Sequence, residues 1–304
     1  MNGKLPSVPA DTPQCQLKVM NAGFCRAKKS HILKGADKEE VWLPALFYLI
    51  EHPKYGKLLF DTGYSTRFFD VTTKFPFSIM QKLTPVRIST EENAGNQLKR
   101  LGIAPEEISI VLLSHLHVDH VGGVDGFPES TFYVNKQEWD YCRQSEWKLF
   151  RNGYIKKLFE QVAASALTLL DFEKNGLPYG PFPKTIDLFN DGSIILVPLP
   201  GHAVGQYGLM LNITKEERYF LVADSVYVKE NYRKERAGSR LSRIAHHDPR
   251  RYRQQFSILR QVEEANPGLH LIPSHDPEAY IEFVKTKGIS GGSGEARIDR
   301  REKN

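Results

Sequence analysis

Cysteine is scarce in this chain. Cys15, Cys25 and Cys142 are the only three among 304 residues. So few, and odd in number, they suit a reducing cytoplasm, the location expected here, better than a disulfide framework. Long hydrophobic runs are missing too. No apolar stretch approaches the ~20 residues of a membrane span, so no membrane span is expected. The opening Met1-Asn2-Gly3-Lys4-Leu5-Pro6-Ser7-Val8-Pro9 lacks the apolar core of a secretion signal. There is no internal repeat and no linker that would split the chain, so residues 1–304 read as one domain. With 40% hydrophobic content the chain can bury a full core, and its net charge of +5 is modest.

What the chain does have is concentrated in six residues, His115-Leu116-His117-Val118-Asp119-His120. Four of them carry side chains that can bind a metal. They follow Ile108-Ser109-Ile110-Val111-Leu112-Leu113, which reads as a buried strand, so the cluster belongs on the loop where that strand ends. His115 and His117 alternate with apolar residues, so an extended loop points both imidazoles one way. Asp119 and His120 come next and can reach an adjacent second metal. Imidazole and carboxylate suit zinc or a neighbouring transition metal.

Further donors stand at the ends of three more apolar runs. Ile194 to Gly201 delivers His202, Tyr219 to Ala223 delivers Asp224, and His270 to Ser274 delivers His275. Taken singly, a histidine after a strand is often a hydrogen-bonded structural group, and an aspartate there often caps a helix. Together and in this order they complete two metal sites. None of the cysteines lies in these clusters, so thiolate ligation is not expected.

This pattern of His-x-His-x-Asp-His, Gly-His, Asp and a last His resembles the metallo-β-lactamase-fold hydrolases. The resemblance implies a four-layer αβ/βα sandwich, an α/β fold with two facing sheets, helices on both outsides and metals at one sheet edge. It implies two divalent metal ions, with zinc the expected metal. His115, His117 and His202 would hold one, and Asp119, His120 and His275 the other, with Asp224 bridging. True β-lactamases of the superfamily lack that bridging aspartate. Within the superfamily the chain is similar to the N-acyl-homoserine lactonases, the quorum-quenching enzymes. Leu59-Phe60-Asp61-Thr62-Gly63, Ser114 to Gly123, Pro200-Gly201-His202 and Ala223-Asp224-Ser225-Val226-Tyr227 carry that similarity. Those lactonases place a tyrosine three residues after the bridging aspartate, where it contacts the substrate carbonyl or leaving oxygen, and Tyr227 matches it. One departure is Gly201-His202-Ala203-Val204-Gly205-Gln206, where the lactonases usually read Gly-His-Ser-Pro-Gly-His. Gln206 is not expected to be a metal ligand.

The implied activity is opening of an acyl lactone ring. Two metals about 3.5–4 Å apart would lower the pKa of a shared water enough to give hydroxide near neutral pH. Tyr227 would donate to the carbonyl or leaving oxygen, and Asp119 would pass a proton to the leaving oxygen. Asp61 is expected to accept an imidazole N–H and fix its tautomer. A glyoxalase-II-like thioesterase is the main alternative, but too little chain follows His275 to build that family's C-terminal glutathione-binding helices.

Tyr64 to Val86 is long and carries Phe68, Phe69, Phe75, Phe77, Ile79 and Met80. Phe68 and Phe69 are candidates for an apolar wall around an acyl chain, the small-molecule partner expected here. A core-packing arm or a homodimer contact is the alternative. Lys229 to Arg253 is rich in arginine, which invites a nuclease reading. A solvated surface is favoured, and no nucleic acid partner is expected. There Asp248-Pro249 marks a helix start, with Tyr252, Phe256, Leu259 and Val262 on its inner face. Ser89-Thr90-Glu91-Glu92 has capping-box form, opening a helix to about Arg100. Trp139 to Val162 is helical in period, with a break at Gly153. Residues 1–14 and 288–304 are expected to be loose tails.

Overall fold

The computed structural model describes residues 3–239, 242 and 245–286. Thirteen strands form two sheets among these residues. The first sheet has the order β4-β1-β2-β3-β5-β6-β7. Its strands are β1 (Gln16–Lys28), β2 (Glu40–His52), β3 (Gly56–Phe60), β4 (Val86–Arg87), β5 (Ile108–Leu113), β6 (Thr131–Asn135) and β7 (Leu167–Leu170). The second has the order β13-β12-β11-β10-β9-β8. It comprises β8 (Leu177–Tyr179), β9 (Phe182–Asp187), β10 (Ile194–Pro198), β11 (Tyr207–Asn212), β12 (Arg218–Ala223) and β13 (Leu269–Pro273). Pairing is parallel between β3 and β5, β5 and β6, β6 and β7, and β12 and β13, and antiparallel elsewhere.

Alternation along β2 shows how the layers arise. Leu46, Tyr48 and Ile50 face Leu196, Leu209, Leu221 and Ile272 of the other sheet. Phe47 and Leu49 point the opposite way, into a core with Leu98, Val121 and Leu158 from the covering helical segments. On the far side, Val197, Met210, Phe220 and Val222 meet Tyr252, Phe256, Leu259 and Val262 of the helix Pro249–Ala265. A period of two on buried strands and of 3.6 on a covering helix thus gives an αβ/βα sandwich. That helix starts as expected, with Asp248 accepting from the backbone N–H of Arg250 at 2.9 Å and of Arg251 at 3.1 Å.

Several expectations needed correction. The stretch 139–162 is not one broken helix. It divides into Lys136–Tyr141, Glu146–Phe150 and two 3-10 turns, Lys156–Leu158 and Glu160–Ala163. Ser145 and Ile155 are extended and Gly153 has φ +90°, so the buried residues serve an irregular path. The capping box exists, with Ser89 N–H donating to Glu92 at 2.7 Å. Asn93, at ψ 137°, then splits the segment into Thr90–Glu92 and Ala94–Arg100. Residues 3–14 pack instead of hanging loose. Leu5 and Val8 are buried, and Asn266 binds Leu5 N–H at 2.9 Å and the Gly3 carbonyl at 2.8 Å. The segment from 288, expected to be loose, lies outside the described residues.

The long Tyr64–Val86 arm folds into two short helices, Arg67–Val71 and Ser78–Leu83. Basic residues of the 229–253 stretch meet acids: Arg233 pairs with Glu263 at 2.7 Å and Lys234 with Glu230 at 2.7 Å. Arg240 and Arg243 fall outside the described residues. Among the described residues, no helix is long and apolar enough to cross a membrane.

Candidate metal centre

Five strands end at one edge of the sandwich and deliver the polar residues there. Asp61 follows β3, His115 to His120 follow β5, His202 follows β10, Asp224 follows β12 and His275 follows β13. The donor atoms gather into two sets, each within 4.8 Å: His115, His117 and His202, then Asp119, His120, Asp224 and His275. In the first, His117 Nδ1 lies 3.0 Å from His115 Nε2 and 2.8 Å from His202 Nε2. In the second, His275 Nε2 lies 3.1 Å from both Asp119 and Asp224. Asp224 reaches both sets: Oδ1 is 3.3 Å from His120 Nε2, and Oδ2 is 3.4 Å from His202 Nε2.

Local backbone geometry makes this convergence possible. His117 is extended and precedes the turn of helix Val118–Val121, which carries Asp119 and His120. The His120 carbonyl accepts from both the backbone N–H and the hydroxyl of Thr62, at 2.9 Å each. Gly201 sits at φ +139°, and a Cβ there would lie 2.3 Å from the backbone nitrogen of Tyr252. Only glycine lets the His202 loop approach the long helix so closely. Asp61 and Ala223 also take left-handed φ, at 61° and 47°. Non-glycine residues held so cost on the order of 1–3 kcal/mol each, a cost that concentrates at functional sites.

The outer ring nitrogens of His115, His120 and His275 are engaged, which turns their inner ones toward the centre, whereas the outer His117 Nε2 is buried with no hydrogen-bond partner among the described residues. His120 Nδ1 donates to Asp61 Oδ2 at 2.8 Å, as expected of Asp61. The same carboxylate accepts from the Ser114 hydroxyl and backbone N–H, both at 2.8 Å. His115 Nδ1 meets the Ser114 hydroxyl at 3.0 Å, and His275 Nδ1 donates to the Pro44 carbonyl at 2.7 Å. Such contacts fix ring tautomers and orientations.

Burial keeps the first set neutral. It pushes His115 and His202 well below the ordinary histidine value and His117 down to about 4. In the second set burial opposes charge, but Asp61, Asp224 and Asp119 outweigh it and hold His120 well above its ordinary value. Asp224 and Asp119 do the same for His275. Asp224 is held well below the carboxylate range, where His275 and His120 overcome the opposing effect of burial. Three converging neutral imidazoles are the donor chemistry of a transition metal. His120 Nε2 and Asp224 Oδ1 are buried and face each other at 3.3 Å as an ion pair, and among the described residues neither makes a hydrogen bond. A divalent cation between them would satisfy both. The residues present therefore fit two metal ions.

Tyr227 covers the edge of the centre. Its ring packs on His202 at 5.6 Å and His275 at 5.7 Å, and its hydroxyl lies 3.3 Å from His202 Nδ1. Burial first, then Tyr252 and Asp224, hold the phenol well above its ordinary value, so it keeps its proton. Phe68 is 1% exposed and belongs to the core with Tyr64. Phe69 is half-buried against that core. Gln206 is buried and donates to the Leu199 carbonyl at 3.3 Å, away from both sets.

Glu138, Tyr154 and His246 went unnoticed in the sequence. Glu138 is fully buried and accepts from Leu116 N–H at 3.1 Å, Gly205 N–H at 2.8 Å and the Tyr154 hydroxyl at 2.8 Å. It thus clamps the His115–His117 loop to the His202 loop, while the Tyr154 ring packs on His117 at 4.4 Å. A glutamate in an amphipathic stretch gives no hint of burial. The His246-His247 pair beside the Asp248-Pro249 helix start was the available signal for His246.

Known proteins resemble this chain over most of its length. The N-acyl homoserine lactonase AttM of Azorhizobium caulinodans is 27% identical over 281 residues, covering 90% of this chain and 97% of that protein. The N-acyl homoserine lactonase AiiB of Agrobacterium fabrum is 29% identical over 255 residues, 80% of this chain and 83% of its own. Among solved structures, an N-acyl homoserine lactone hydrolase with N-hexanoyl-L-homoserine bound at its catalytic metal centre superposes with a TM-score of 0.69. It shares 22% identity and covers 89% of this chain and 96% of its own. AidC, a dizinc quorum-quenching lactonase, gives 0.62 at 15% identity, with 90% of each chain covered. At these identities the structures speak for the fold. The family model of the metallo-beta-lactamase superfamily matches residues 41–275, and the chain belongs to that superfamily.

Proposed function

We propose that this chain is a dinuclear metal hydrolase that opens the lactone ring of N-acyl homoserine lactones. The observation that carries the reading is one sheet edge where two donor sets share Asp224 beside the protonated phenol of Tyr227. The full-length similarity to AttM and AiiB supports the substrate class. His115, His117 and His202 would hold one ion and Asp119, His120 and His275 the other, with Asp224 within reach of a histidine of each set. Bound there, two divalent ions, zinc by the donor set, supply Lewis acidity and an activated water.

The side chains do the rest. Tyr227 donates a hydrogen bond to the substrate carbonyl oxygen or to the leaving ring oxygen as negative charge develops there. Asp119, with a side chain 14% exposed against 3% for Asp224, is the more open carboxylate. It takes the proton of the attacking water and gives it to the leaving oxygen, so the product is an N-acyl homoserine. Phe69 offers an apolar surface to the acyl chain. Residues 1–304 act as one domain, supported by the core that both sheets share. Three unpaired, buried cysteines support a cytoplasmic location.

A panel of acyl homoserine lactones, thioesters and phosphodiesters, tested on zinc-loaded protein, decides the reading. Lactones should turn over fastest. Thioester turnover without lactone turnover would transfer the assignment to the glyoxalase-II-like branch.

A further inference from the structure

His246 belongs to neither donor set, yet it is 7% exposed and tied to one of them. Two backbone bonds zip its segment onto the His202 loop: His247 N–H donates to the His202 carbonyl at 2.9 Å, and Asp248 N–H to the Gly201 carbonyl at 2.8 Å. Its ring stacks on Tyr252 with centroids 3.7 Å apart and planes 18° off parallel. Held this way, its Nδ1 faces His202 Nδ1 at 3.1 Å.

The chemistry of His202 gives that contact meaning. His202 turns Nε2 inward, 2.8 Å from His117 Nδ1. A neutral imidazole that ligates through Nε2 carries its proton on Nδ1. Among the described residues, two acceptors face that proton, His246 Nδ1 and the Tyr227 hydroxyl at 3.3 Å. The imidazole nitrogen lone pair is the stronger base and the nearer atom. We infer that His246 is a positioning residue that accepts the Nδ1–H of His202, fixes the tautomer that presents Nε2 to the metal, and leaves the Tyr227 hydroxyl free to face the substrate. His120 has a carboxylate in this role and His275 a carbonyl. Here a second imidazole fills it, itself fixed by stacking and backbone bonds. The inference rests on the first donor set being a metal site and is independent of which substrate the enzyme opens.

The test compares His246→Phe, which keeps a ring on Tyr252 but removes the acceptor, with His246→Asn, whose side-chain oxygen stands in for Nδ1. Full-length protein loaded with zinc or cobalt(II) is equilibrated against graded chelator, and the metal retained per chain is counted. Loss of an outer hydrogen-bond partner typically weakens metal binding 10–100-fold. The Phe variant should lose that much at one site only, with an altered cobalt absorption band, and the Asn variant should recover most of it. Wild-type affinity and spectrum in the Phe variant would overturn the role of His246. In the zinc-loaded wild type, 15N NMR should show scalar coupling between the two Nδ1 atoms. A protonated His246 Nδ1 would overturn the inference without any mutation. A wild type that binds no metal would remove the metal-centre reading itself.

Discussion

Replacing Asp61 by asparagine isolates one hydrogen bond under the metal centre. Asp61 is fully buried and its φ is +61°, a conformation asparagine tolerates. Alanine there would add left-handed strain of roughly 1–2 kcal/mol and blur the result. The carboxylate accepts three bonds, Ser114 N–H on Oδ1 and both the Ser114 hydroxyl and His120 Nδ1 on Oδ2. An asparagine that keeps its carbonyl toward Ser114 N–H turns an amide donor at His120 Nδ1, donor against donor. His120 must then tilt or switch tautomer, and its Nε2 leaves the position shared with Asp224. Outer partners of ligating histidines are worth about 10–100-fold in metal affinity, which at about 1.4 kcal/mol per decade is about 1.4–2.8 kcal/mol. Zinc competition against a chromophoric chelator should therefore show one weakened site per chain and one unchanged. Two wild-type affinities in a folded Asp61→Asn protein would refute the argument that Asp61 holds His120 in place.

Removing only the hydroxyl in Tyr227→Phe should cost on the order of 2–4 kcal/mol, chiefly in kcat on homoserine lactones, with metal content unchanged. Undiminished turnover would leave Tyr227 a packing residue. Phe68→Ala should destabilise the fold by about 3–5 kcal/mol in denaturant titration, as for a buried phenylalanine. Phe69→Ala should leave stability near wild type and flatten the dependence on acyl length, each buried methylene being worth about 0.8 kcal/mol. Equal losses across chain lengths would place Phe69 in the core instead. Acid should strip the second donor set first. His120 and His275 are held above the ordinary value, so protons compete with the cation there as pH falls. His117 in the first set protonates only at about 4. Metal retained per chain, followed from neutral pH downward, should drop in two steps, and simultaneous release would contradict the assignment.

The metal donors were legible because each stands at the end of an apolar run, where a buried strand must surface. Those apolar runs are β5, β10, β12 and β13. β1 was hidden by its own irregularity. A register shift between Asn21 and Phe24, with Gly23 at φ +87°, interrupts the alternation that marks a strand. The stretch 139–162 misled in the opposite way, since its apolar spacing is helical while its backbone bends at Ser145, Gly153 and Ile155 to bring Tyr154 against His117. Glu138 and His246 act through contacts 67 and 44 residues distant along the chain, to Gly205 and His202, which no local pattern encodes.

The donors span both sheets, and this makes the metals fasteners as well as reagents. His115 to His120 hang from the first sheet, while His202, Asp224 and His275 hang from the second. A cation bound by both cannot be held until the two halves have closed on each other, and once held it resists their parting. Metal at a thousand times its dissociation constant adds about 4 kcal/mol per site to the closed form. Metal-starved protein would thus open first along the seam between the sheets, exposing Leu46, Leu196 and Leu209 to aggregation. Supply of the ion would then govern how long the folded chain survives as well as how fast it works.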